Sequence, residues 1–202
     1  RTDAAFDIDS SVNQVFKVVL KHGQEPTSRD QTYTQTVTYV VPDGFDQPAD
    51  SIETLTFTQT GTKDLVTGNI AWDSVDGQSF SAVQVPSVDG LTPNTTEVAS
   101  SKVTPDFTGN KTSTVTVTYT ADAQKATVVY VDQDNNDAEV ANSGELTGVS
   151  KGTIVYSTAD TIKALEEKGY VLVTDGFRTD AAFDIDSSVN QVFKVVLKHG
   201  QE

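Results

Sequence analysis

The first 25 residues of the chain, RTDAAFDIDSSVNQVFKVVLKHGQE, recur letter for letter as residues 178–202, an offset of 177 residues. Chance does not write such a segment twice in 202 residues. The duplication implies a parent protein carrying near-identical copies of a 177-residue unit, with this chain holding one period and an overlap. A solenoid repeat runs about 20–50 residues, so a unit this long must bury a core of its own. An array of self-sufficient units multiplies weak sites and raises avidity without new contacts. That suits binding or spacing, and gives an enzyme little. Residues 1–25 then read as the tail segment of the preceding copy. Val15, Phe16, Val18, Val19 and Leu20 in that tail need burial, and an unpaired strand seeks a partner in the next module or in a neighbouring molecule.

Period-2 alternation dominates residues 26–120. Tyr33, Val37, Tyr39 and Val41 fall on one face of an expected strand, with Thr32, Thr34, Thr36 and Thr38 on the other. Ser113–Tyr119 repeats the design, with Val115, Val117 and Tyr119 inward. Such strands have one buried face and one threonine-coated wet face. Leu55 and Phe57 mark a third strand over 52–58, and 79–85 reads as a fourth, ended by Pro86. Pro42-Asp43-Gly44, Asp76-Gly77, Asp89-Gly90 and Gly109-Asn110 supply turns between them. No convincing helix appears from Pro26 to Thr120.

The second half reads differently. A short apolar strand over 125–131 runs into the turn Asp132-Gln133-Asp134-Asn135-Asn136-Asp137. A helix is expected over 158–168, capped by Ser157 or Thr158, with Ile162 and Leu165 inward and Gly169 at its C′ position. Strands over 170–174 and 189–198 complete the chain. Strand–strand–helix–strand–strand suggests a small α+β domain with one helix across a mixed sheet, the β-grasp arrangement. The polar stretch Ala121–Gln124 marks the boundary, giving modules over 26–121 and 122–202.

Charge narrows the partners. Lys and Arg number 14 against 29 Asp and Glu, a net charge of −15. That surface repels phosphate backbones, which disfavours nucleic acid, and it repels anionic membranes. No run of about 18 apolar residues is present to insert into a bilayer. With no cysteine, the chain must hold itself by sheet pairing and packing. The only histidines, His22 and His199, are one repeat position seen twice, and no G-x-S-x-G elbow occurs, so no catalytic residues are assigned.

Several motifs in fixed order now point to a family. The second half, through Ala126-Thr127-Val128-Val129-Tyr130-Val131-Asp132, the helix exit Gly169-Tyr170-Val171-Leu172-Val173 and the strand Val192–His199, resembles the MucBP-type module of mucus-binding surface proteins from lactic-acid bacteria. The first half is similar to the B2-type module that alternates with it. There the carriers are Val37-Thr38-Tyr39-Val40, Thr62–Gly68 with Trp72, Phe80-Ser81-Ala82-Val83, Gly90-Leu91-Thr92-Pro93 and Val115–Tyr119. The resemblance implies a β-rich α+β protein of two β-grasp (ubiquitin-like) modules in tandem, elongated in shape. It further implies an extracellular place on the cell wall of a Gram-positive bacterium and binding of mucin glycoproteins. Some members also bind immunoglobulin, which offers a second partner by strand addition. A stalk that only spaces a distant tip is a third reading.

Two sets of residues stand out as candidate sites. Trp72, the only tryptophan, and Tyr156, just before the helix, are candidate stacking platforms for glycans; a tryptophan in a β domain is more often a core residue. Asp132-x-Asp134-x-Asn136, with Asp137 beside it, carries the first three oxygen ligands of a calcium loop. It then departs, with Asp137 where the loop needs glycine and Ser143 where it needs glutamate, so a plain Asp/Asn-rich turn is the competing reading.

Overall fold

The computed structural model describes residues 5, 8, 10, 11 and 13–201. The chain is mostly strand. In order the strands of the first half are β1 (Gln24–Val40), β2 (Ser51–Asp64), β3 (Ile70–Trp72), β4 (Gln78–Phe80), β5 (Val83–Gln84), β6 (Leu91–Pro93), β7 (Glu97–Val98), β8 (Ser101–Val103) and β9 (Lys111–Ala121). Those of the second half are β10 (Ala123–Asp132), β11 (Ala138–Asn142), β12 (Leu146–Val149), β13 (Tyr170–Asp175) and β14 (Gln191–His199). A short helix, α1 (Ala159–Glu166), precedes β13. Among the described residues no helix is long and apolar enough to cross a membrane.

The first half forms a five-stranded sheet in the order β3-β2-β1-β9-β6. β1 and β2 are long antiparallel partners, from Gln24 opposite Asp64 to Val37 opposite Ser51. On its other side β1 runs parallel to β9, from Tyr33 opposite Lys111 to Val40 opposite Thr118. The alternation sets the faces as expected: Val37, Tyr39, Val117 and Tyr119 are buried with Leu91, while Thr114, Thr116 and Thr118 are exposed. Leu55, Phe57 and Phe80 form a second cluster. The strand expected over 79–85 is split. β4 pairs with β8 and β5 with β7, and at the break Ser81 N–H donates to Glu53 Oε2 at 2.8 Å instead of to a ladder.

The second half builds the order β11-β10-β14-β13, with β12 also paired to β10. Its centre is again parallel: β10 and β14 run side by side from Ala126 opposite Gln191 to Asp132 opposite Leu197. From Ala126 to Asp132 β10 is buried or half-buried on both faces, which is why it reads as a near-continuous apolar run, while β14 leaves Val192, Lys194 and Lys198 exposed. Val128, Tyr130, Val195 and Leu197 bury completely beneath Leu165 of α1, with Phe177 and Phe183 alongside. Thr158 stands at the N-cap, but its hydroxyl donates to Asp175 Oδ2 at 2.5 Å, and it is Ser157 Oγ that accepts the Ala159 N–H at 3.3 Å. Gly169 takes φ +95, the left-handed turn that ends the helix.

One residue, Asp122, separates the two sheets. Its N–H donates to Gly90 O in the first, its carbonyl accepts from Ser150 N–H in the second, both at 2.9 Å, and its carboxylate accepts from Thr92 Oγ1 at 2.5 Å. Gly90 (φ +77) lies so close to the second sheet that a Cβ there would stand 2.9 Å from Ile185 Cβ. Lys151 Nζ reaches back to Gly44 O at 2.6 Å and sits 4.4 Å over the Phe45 ring.

The duplicated sequence occupies two environments. As β14 it is a central strand, with Val195 and Leu197 fully buried. As residues 13–23 it makes no strand, and the equivalent Val18 and Leu20 are 81% and 87% exposed. One substitution therefore has two outcomes. Leu197→Ala should lower unfolding stability by about 2–5 kcal/mol, and Leu20→Ala should change it by less than about 0.5 kcal/mol, as read by urea denaturation.

Candidate functional site

The site lies where β9 first joins β1, along the paired residues Tyr33–Gln35 and Lys111–Ser113. β9 joins β1 only at Tyr33, so the start of β9 and the small β4–β8 ladder face each other across an open groove. The groove encloses about 460 Å³ and is walled by Tyr33, Thr34 and Gln35 of β1, Lys111–Ser113 of β9, and Phe80, Ser101 and Val103. Two aromatic rings, an aliphatic chain and a rim of hydroxyls present an apolar floor with hydrogen-bonding edges. That is the surface a sugar ring matches, with its C–H face and its hydroxyl edge.

A buried amide braces one end of the groove. Gln31, 1% exposed, accepts from Asp106 N–H at 3.1 Å and Phe107 N–H at 2.8 Å, and donates to Asp106 Oδ1 at 2.7 Å and to Gly109 O. These bonds hold the 106–110 turn, with Phe107 at φ +52, against the strand. The Gln31 amide, and after it the Thr108 N–H and hydroxyl, keep the Asp106 carboxyl well below the usual carboxylate range. Lys111 Nζ closes the turn through Thr108 Oγ1 at 3.0 Å and Asp106 Oδ2 at 3.4 Å. Sequence reasoning passed over Gln31. Its signal was a glutamine, like Gln35, in the inward register of a strand face that otherwise carries Tyr33, Val37 and Tyr39.

The residues singled out from the sequence lie elsewhere. Trp72, on β3, is half-buried, and the Arg29 guanidinium covers its ring at 4.3 Å while also standing 4.8 Å from Phe107. That face is taken by a cation–π contact. Tyr156 packs against the second core, edge-on to Phe177, and its hydroxyl meets that of Tyr130 at 3.0 Å. The Asp132–Asp137 turn ties the end of β10 to β14. Asp132, 2% exposed, accepts from Asp134 N–H through Oδ1 and faces His199 Nε2 through Oδ2 at 2.8 Å. Asp134 Oδ2 accepts from His199 N–H at 2.9 Å, and Asp137 Oδ2 pairs with Lys194 Nζ at 3.1 Å. Asn136 and Asp137 take the left-handed conformation that reverses the chain. The turn's three carboxylates thus turn to protein donors. Among the described residues no group of three or more His, Cys, Asp or Glu is placed to hold a metal ion.

Comparison with known proteins gives two adjoining matches. A family model described as a Muc B2-like domain matches residues 24–123, and one described as a mucin binding domain matches residues 124–199. No curated protein matches the chain. Among solved structures, Mub-RV is 33% identical over 50% of this chain, with TM-score 0.44, and the chain spans 61% of its length. A MucBP domain from Lactobacillus acidophilus is 33% identical over 50% of this chain and 100% of its own, with TM-score 0.43. The type 2 repeat of the mucus binding protein MUB from Lactobacillus reuteri is 30% identical over 60% of this chain and 71% of its own, with TM-score 0.40.

The brace generates a prediction. Gln31→Ala should destabilise the first sheet by about 1–3 kcal/mol, because the Asp106 and Phe107 N–H groups lose their acceptor and the buried side chain leaves a gap. It should also raise the Asp106 pKa towards the ordinary value in an NMR titration. The sign comes from the depressed folded value: the tie stabilises at and above the ordinary carboxylate range, about pH 4, and is lost only as pH falls well below it.

Proposed function

Because the chain belongs to the family of mucus-binding repeats, we propose that it is a cell-surface adhesin repeat that holds neutral sugars of mucin glycoproteins in the groove along β1 and β9. The observation that carries this reading is the unbroken succession of a Muc B2-like domain and a mucin binding domain over residues 24–199. The groove adds the chemistry: Tyr33 and Phe80 for the apolar face of a sugar, and Thr34, Ser101, Thr112 and Ser113 for its hydroxyls. The net charge of −15 repels sialic acid and sulfate, which leaves uncharged sugars as the partner. Each site is weak, and repetition supplies the avidity. The second module is read as a β-grasp domain, on the support of its parallel central pair and single helix. Its place is outside the cell, in a wall-attached array of such units.

Immobilised mucin tests the reading. The 202-residue chain should bind weakly, and a chain with two complete copies should bind about a hundredfold or more tighter. Ser113 is exposed at the rim, and Ser113→Trp should fill the groove and abolish binding without lowering stability. Periodate oxidation of the mucin should abolish binding also. Chelation should leave it unchanged, since the Asp132, Asp134 and Asp137 carboxylates are engaged by His199 and Lys194. Binding that survives both Ser113→Trp and periodate would overturn the groove and favour a protein partner such as immunoglobulin. No binding by either chain would favour the spacer.

A further inference from the structure

Because residues 178–202 restate residues 1–25, the passage from one copy to the next lies inside this chain, at His22-Gly23-Gln24. The structure shows that passage from both sides. At His199-Gly200, facing the copy that ends, the imidazole Nε2 meets Asp132 Oδ2 at 2.8 Å, and Gly200 N–H donates to Gly169 O at 2.8 Å. At His22-Gly23, facing the copy that begins, the imidazole Nδ1 meets Asp64 Oδ2 at 2.6 Å, and Gly23 O accepts from Leu65 N–H at 3.0 Å. The two sets use different atoms of the same two residues, so neither excludes the other.

We propose that consecutive copies are locked by this histidine and glycine, the imidazole bridging Asp132 of its own module and Asp64 of the next copy. The glycine does the same along the backbone, with its N–H tied backward and its carbonyl tied forward. Asp122 makes the same pair of ties between the two sheets within a copy. Both acceptors of the ring are carboxylates, so the bridging imidazole donates from both nitrogens. Asp64 is suited to meet it. The Thr67 N–H and then the His22 ring hold its carboxyl down at about 2.

Three further observations fit a closed joint. Strand β14 ends at His199 and β1 begins at Gln24, which is Gln201 one copy on, so a single glycine links them. A Cβ on that glycine would stand 2.8 Å from Gly169 O on one side and 3.3 Å from Leu65 Cδ1 on the other. The apolar Val18 and Leu20, exposed here, are the residues that β14 buries at Val195 and Leu197, so a preceding module is what covers them.

The test uses residues 1–202 followed directly by residues 26–202, a chain with two complete copies. It has no cysteine of its own, so spin labels go on Ser187→Cys of the first complete copy and Ser74→Cys of the second, both exposed positions. Double electron–electron resonance should give one narrow distance distribution. His199→Gln in the first complete copy, or Asp64→Asn in the second, should broaden it. His199→Gln in the last copy removes the same Asp132 contact but lies at no joint, and should leave the distribution narrow while costing its module the same stability. A distribution already broad in the parent chain, or unchanged by both joint variants, would overturn the proposal. So would equal broadening by the last-copy variant.

Discussion

The parallel pairing of first strand with last strand organises each half of this molecule. β1 lies beside β9, and β10 beside β14, at the centre of their sheets. Parallel neighbours cannot be joined by a tight turn and need a long crossover. Everything between the paired strands is that crossover. In the first half it carries β2 with the small ladders β4–β8 and β5–β7, and the β4–β8 ladder walls the groove against β1 and β9. In the second half it carries α1, whose Leu165 closes the core over Val128 and Val195.

The same pairing sets how copies connect. A chain that enters at the start of a central strand and leaves at the end of its parallel neighbour leaves from the opposite pole. Asp122 passes from sheet to sheet by bonding to both sides, and the glycine of the proposed joint would do the same between copies. Short joints suit the weakly binding repeat proposed above. They fix the spacing between grooves, and avidity is greatest when spacing matches the span of the partner's sites.

Much of this was legible in the residues, and what was not has physical reasons. The long strands announced themselves through Val37, Tyr39, Val117 and Tyr119 opposite threonine, and α1 through Leu165 and Gly169. The two- and three-residue strands β3 to β8 are too short to show any period. Which strand would lie parallel to which depends on contacts scores of residues apart and leaves no local trace. The surroundings of single residues leave the least trace. Nothing near Trp72 in sequence hints that Arg29 stands over its ring. The Asp132–Asp137 turn has the oxygen spacing of a cation loop, but the donor that claims Asp132 is His199, 67 residues on. The groove brings together Tyr33, which reads as core, and Phe80, Ser101 and Val103 from strands too short to read, so no single stretch of sequence announces it.

The arrangement of end strands also decides how a copy answers a pull. Tension along an array enters a module at the start of one central strand and leaves at the end of its parallel neighbour, so it drives the two to slide past each other. The evenly spaced bonds from Ala126–Gln191 to Asp132–Leu197 are then loaded together in shear, not opened one after another as in a peeled hairpin. Resistance to forced unfolding is set by that barrier rather than by equilibrium stability. A pull along such an array would therefore act on these modules in shear, the direction in which the paired strands resist together.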